Sequence, residues 1–172
     1  MKFYIYTLGC KVNTYESNVM RDKLINSGYI EVKEEEANIF IINTCTVTNT
    51  SDNKSLKVVR QVKRNHEDAI VVVVGCMSQV NSNLLDEIDV SIILGNSGKS
   101  DIVKYIEEYK KNNKPIKVIE NIMEKKFENM CLNNFDKTRA YVKIEDGCEN
   151  YCSYCIIPYS YLKANCSQDI QT

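Results

Sequence analysis

Over roughly the first two thirds of the chain, short unbroken apolar runs alternate with longer stretches whose apolar residues recur at helical spacing. Lys2–Leu8 is β-branched and aromatic and predicts a strand. Ile39–Asn43, Ile70–Val74 and Val90–Leu94 predict three more, and Ile116–Ile119 a fifth. The run at Ile70–Val74 is apolar at every position, as a parallel strand covered on both faces requires. Asn13 or Thr14 is placed to cap a helix running to Ser27, with Gly28 as its stop. Ser51 is placed to cap a second, from Asp52 to Asn65, with Leu56, Val59 and Val62 on one face. A short helix is expected near Asn83–Glu87, and another over Ser100–Lys111 with Ile102, Val103 and Ile106 inward. Strands and helices in this alternation predict an α/β domain over residues 1–120, an open, mostly parallel sheet in three layers.

The rhythm stops at Asn121. Residues 121–137 are polar without clear periodicity and read as a linker. Arg139–Glu145, with Tyr141, Val142 and Ile144 apolar, predicts a strand that opens a second unit over residues 138–159. Residues 160–172 form a tail.

The chain has 172 residues, 44% hydrophobic and 26% charged, enough for one domain with a real core plus a fragment. A net charge of −1 provides no global field for nucleic acid, so any such contact is local. Lys54, Lys57, Arg60, Lys63 and Arg64 fall at mostly helical spacing and offer a basic stripe for phosphates, although an ordinary solvated helix face explains them more simply. Glu34-Glu35-Glu36 reads as an exposed turn. Gly95-Asn96-Ser97-Gly98-Lys99-Ser100 is not a phosphate loop, because that motif needs glycine where the chain has Ile93. No apolar run approaches the ~20 residues of a membrane span, and Met1–Leu8 lacks the features of a signal peptide. A cytoplasmic protein is expected.

The eight cysteines therefore sit in a reducing setting, where metal or cluster ligation is a better reading than disulfides. Cys10, Cys45 and Cys76 each follow a predicted strand. Loops after the strands of an open parallel sheet gather on one edge, where ligands bind. Gly9 and Gly75 would allow backbone to approach a bulky group there. Two plainer readings stand beside a cluster site: small buried thiols, and zinc. Zinc would usually want a fourth ligand, and the only histidine, His66, lies at a predicted helix end away from that edge. Cys148, Cys152 and Cys155 form C-x3-C-x2-C in one loop, with Tyr154 before the third. Three thiolates can hold three irons of a 4Fe–4S cluster and leave the fourth open, whereas such clusters normally take four cysteines. Cys131 and Cys166 have no partners at ligand spacing.

The run Gly147-Cys148-Glu149-Asn150-Tyr151-Cys152-Ser153-Tyr154-Cys155 resembles the signature of the radical S-adenosylmethionine (SAM) superfamily. With both cysteine triplets considered, the chain resembles the methylthiotransferases of that superfamily. Thr7-Leu8-Gly9-Cys10-Lys11-Val12-Asn13 is similar to the branch acting on N6-threonylcarbamoyladenosine in tRNA; other branches, acting on isopentenyladenosine or a ribosomal protein, usually differ there. Asn43–Thr48, Gly75-Cys76, Gly95-Asn96 and Cys155–Tyr159 also match, so the resemblance covers about residues 1–159. It implies that Cys148, Cys152 and Cys155 hold a radical-generating 4Fe–4S cluster with SAM at its open iron. It implies that Cys10, Cys45 and Cys76 hold an auxiliary 4Fe–4S cluster that takes up the methylthio unit. The resemblance further implies a tRNA substrate, modified at C2 of its adenine, and a reduced electron donor. Tyr154 is expected to pack beside the cluster or bound SAM. Family members continue with an Arg-Gly stretch, a partial (β/α) barrel and an RNA-binding domain. Here the continuation is Ser160-Tyr161-Leu162-Lys163-Ala164-Asn165-Cys166, so an incomplete chain that does not turn over is expected. A non-catalytic iron–sulfur or zinc module is the alternative.

Overall fold

The computed structural model describes residues 1–46, 48–121, 143 and 147–161. Its elements run β1 (Lys2–Thr7), α1 (Lys11–Asn26), β2 (Ile30–Glu31), β3 (Ile39–Thr44), α2 (Asn49–Asn65), β4 (Ile70–Gly75), α3 (Cys76–Val80), β5 (Ile92–Leu94), α4 (Ile102–Asn112), β6 (Ile116–Val118) and α5 (Ile157–Ser160). The six strands form one sheet in the order β2-β1-β3-β4-β5-β6, and every neighbouring pair is parallel. The open parallel α/β domain read from the sequence is therefore the observed one.

The continuous apolar runs follow from burial on both faces. Along β3, Ile39 and Ile41 face the layer containing Met20 and Leu24 of α1 and Ile102 and Ile106 of α4. Phe40 and Ile42 face the opposite layer, with Leu56, Val59 and Val62 of α2 and Met77 of α3. β4 divides the same way, Val72 and Val74 to one side and Val71 and Val73 to the other. All six positions of each of these central strands are buried. Removing one methylene from such a position typically costs about 1 kcal/mol, so pattern and stability are tied together here.

Four local departures have physical reasons. α1 starts at Lys11, with Cys10 at its N-cap, rather than at Asn13 or Thr14. Asn13 is buried in the first turn, and its amide is engaged across the sheet edge instead of capping. α2 starts at Asn49 because Thr48 precedes Ser51 as the cap; the Thr48 hydroxyl accepts from the Ser51 amide at 3.2 Å. Such a cap is worth about 1 kcal/mol. In place of one helix near Asn83–Glu87 there is α3, beginning directly at Cys76, and then a 3-10 turn over Ser82–Leu85. β2, two exposed residues paired with the start of β1, is too short to leave a periodic signal.

Glu34–Glu36 forms an exposed 3-10 turn. His66 closes α2 and stacks on Phe40, with ring centroids 4.5 Å apart, at the end of β3 opposite Cys45. Among the described residues no helix is long and apolar enough to cross a membrane. The strand expected at Arg139–Glu145, apart from Lys143, lies outside the described residues, as do 122–137, Cys131, Cys166 and the tail beyond Tyr161.

Candidate metal centre

Cys10, Cys45 and Cys76 follow β1, β3 and β4, which lie side by side in the sheet. The order reverses between β1 and β3, since the chain runs outward to β2 from one and to β4, β5 and β6 from the other. A crevice forms at such a switch point, beyond the carboxyl ends of the strands. At this edge Cys10 is exposed, and Cys45 and Cys76 are buried. All three thiols are free.

Asn13 ties the Cys10 and Cys45 loops together, and Thr44 joins them to the Cys76 loop. Its Nδ2 donates to the carbonyls of Leu8 (2.7 Å) and Thr44 (2.9 Å), and its Oδ1 accepts from the Cys10 thiol at 3.5 Å. The Asn43 amide donates to the Asn13 carbonyl at 3.0 Å, and the Thr44 hydroxyl to the Val74 carbonyl at 2.6 Å. Each cysteine loop is thus fixed to the next strand by buried polar contacts, which cost most when broken.

Two glycines bring backbone into close contact. A Cβ on Gly9 would stand 2.5 Å from Cys45 Cβ and 2.7 Å from its sulfur. Gly75 adopts φ 107°, ψ −160°, a region essentially reserved for glycine, and a Cβ there would meet the Thr44 carbonyl oxygen at 2.5 Å. A Gly75→Ala chain is expected to lose about 2–3 kcal/mol of stability, read as a lower urea midpoint at unchanged slope.

Cys76 receives its own polar surroundings. Its thiol lies 3.2 Å from the Tyr161 hydroxyl and 3.6 Å from Asn96 Nδ2. Burial pushes the Cys76 thiol up; the Lys99 charge and the contacts with Tyr161 and Asn96 draw it back part of the way. Lys99 is itself fully buried and pairs with buried Glu16, which also meets Lys143 at 3.0 Å. Lys99 and Glu16 escaped the sequence reading; the only signal was a lysine in a Gly-rich turn next to a strand end.

Burial alone would raise the Glu16 carboxyl, but the charges and hydrogen bonds of Lys99 and Lys143 outweigh it and hold it below the ordinary 4.5. An acid depressed in the folded state adds stability that is fully present above its unfolded value and lost as pH falls through its folded one. The domain should therefore hold its urea midpoint down to about pH 4.5 and lose stability below it, with a shallower acid limb in Glu16→Gln.

The second triplet lies in the loop after Gly147. Cys148 and Cys155 are half-buried and Cys152 is exposed, and all three are free. Gly147 (φ 84°) and Tyr151 (φ 46°) turn the backbone through the left-handed region, and the Cys155 amide donates to the Cys152 carbonyl at 2.9 Å. Tyr154, next to Cys155, is 90% exposed. Among the described residues, no group of three or more His, Cys, Asp or Glu side chains is drawn close enough to hold a single metal ion.

The sequence matches the model of the uncharacterized protein family UPF0004 over residues 2–95, from β1 to just past β5 and across all three strand-end cysteines. The chain belongs to the UPF0004 methylthiotransferase family. It is 37% identical over 164 residues to the threonylcarbamoyladenosine tRNA methylthiotransferase MtaB of Aquifex aeolicus, covering 93% of this chain and 40% of that one. It is 38% identical over 159 residues to the MtaB of Bacillus subtilis, covering 90% and 35%. A tRNA-2-methylthio-N(6)-dimethylallyladenosine synthase of Natranaerobius thermophilus is 35% identical over 166 residues, covering 92% and 37%. The chain thus spans well under half the length of the curated relatives it matches.

The strand-end residues of this methylthiotransferase-family domain fit a sulfur-ligated group. The donor set is three free thiols on one edge, soft ligands suited to iron–sulfur clusters. Glycine at 9 and 75 leaves side-chain volume out beside them. Asn96 Oδ1, next to Cys76, is buried with no partner among the described residues.

Proposed function

We propose that the chain supplies both cluster-binding elements of a tRNA methylthiotransferase that inserts a methylthio group at C2 of N6-threonylcarbamoyladenosine. The reading rests above all on one observation: three cysteines end three adjacent parallel strands at the switch point, in a chain that also carries C-x3-C-x2-C. When bound, two 4Fe–4S clusters and SAM supply the radical and sulfur chemistry. Cys10, Cys45 and Cys76 would hold the auxiliary cluster; Cys148, Cys152 and Cys155 would hold the other and leave a position for SAM. Tyr154, exposed beside Cys155, is available to cover bound SAM.

The remaining residues hold and shield. Asn13 fixes the spacing of the Cys10 and Cys45 loops through Leu8 and Thr44. Lys99 offsets part of the burial cost of the Cys76 sulfur. On α2, Lys54, Lys57, Arg60 and Arg64 are exposed opposite the buried Leu56, Val59 and Val62, a local cationic face of the kind RNA phosphates need.

The test is in the tRNA. Deleting the coding sequence and digesting total tRNA to nucleosides should abolish 2-methylthio-N6-threonylcarbamoyladenosine and spare the methylthio derivative of dimethylallyladenosine. Loss of the latter alone would move the assignment to the branch represented by the Natranaerobius relative. Loss of neither would refute the proposed activity.

A further inference from the structure

The segment that follows the second cysteine triplet does not hang free. α5 packs on α3, and Ser160 and Tyr161 are buried. The Tyr161 hydroxyl accepts from the Cys76 thiol at 3.2 Å and donates to Asn13 Oδ1 at 3.2 Å, the same oxygen that accepts from the Cys10 thiol. The phenol therefore contacts Cys76 directly and Cys10 through Asn13. Asn96 Nδ2 holds the Ser160 carbonyl, and Lys143 Nζ lies 5.8 Å from the centre of the Tyr161 ring.

A cluster ligated by Cys76 needs the space around its sulfur, and the Tyr161 hydroxyl, buried 3.2 Å from that sulfur and 3.2 Å from Asn13 Oδ1, takes up part of it. We propose that Ile157–Tyr161 is a plug for the strand-end site, so that docking of Tyr161 and occupation of that site by a cluster exclude each other. The proposal rests on the auxiliary-cluster reading. Because Tyr161 lies six residues beyond Cys155, filling one site would free the chain next to the other.

The experiment uses the full chain carrying Cys148→Ala, Cys152→Ala and Cys155→Ala, so that only the strand-end site reports. Ferrous iron and sulfide are added without oxygen, and the growth of iron–sulfide absorbance is followed. Adding Tyr161→Ala should speed loading several-fold; Tyr161→Phe, which keeps the ring and loses the hydroxyl, should fall between. Independently of any change at Tyr161, the amides of Tyr159, Ser160 and Tyr161, bonded to Ile156 and Ile157, should exchange at least tenfold faster once the site is loaded. Equal loading rates together with unchanged exchange at these amides would overturn the plug while leaving the cluster site standing. No iron uptake in any of the three chains would overturn the cluster reading and the plug with it.

Discussion

A Lys99→Met chain is expected to be less stable by about 3 kcal/mol, with its urea midpoint lowered at unchanged slope. Lys99 is fully buried, so its ammonium has no water to fall back on, and Glu16 is 1% exposed. Removing one member of a buried pair strands the other and costs about 3–5 kcal/mol. Lys143 still reaches Glu16 at 3.0 Å, which places the loss at the lower end. Changing both, Lys99→Met with Glu16→Met, should recover only part of it: the apolar pair removes two desolvated charges, but Lys143, 8% exposed, loses Glu16. A single change costing less than about 1 kcal/mol would contradict the picture of a buried pair beside the Cys76 loop.

Replacing Cys10, Cys45 and Cys76 together with alanine is expected to remove one cluster completely and spare the other. The native chain, reconstituted without oxygen, should hold about eight irons with matching labile sulfide, and the triple variant about four. The converse triple, at Cys148, Cys152 and Cys155, should also retain about four. The strand-end change is drastic for ligation but mild for folding. Each step removes one sulfur and keeps the Cβ, and the apolar faces of β3 and β4 are untouched. Unchanged iron content in the strand-end variant would defeat the assignment. Zinc without sulfide in the native chain would favour a structural metal site.

The sheet was legible because its central strands are buried on both faces: Ile39–Thr44 and Ile70–Gly75 print that burial as unbroken apolar runs. The cysteine edge was legible because each cysteine abuts the end of one such run, and chain topology does the rest. That β1, β3 and β4 are immediate neighbours was beyond the sequence, since strand order depends on long-range pairing that no local pattern carries. The polar residues that set the site's geometry were missed for a related reason. Asn13 reads as a helix cap and Lys99 only as part of a run that is no phosphate loop, until partners 31 and 83 residues away are in place. Tyr161 was assigned to a tail; only the folded chain brings it to Cys76, 85 residues earlier in sequence.

Crystals of the chain grown without oxygen and loaded with iron and sulfide, measured on both sides of the iron absorption edge, give the most direct test. Anomalous density for an iron cluster touching the sulfurs of Cys10, Cys45 and Cys76, at the open end of β1, β3 and β4, is the predicted result. Density at the iron edge confined to the Cys148–Cys155 loop, or a lone zinc signal at the strand ends, would contradict it.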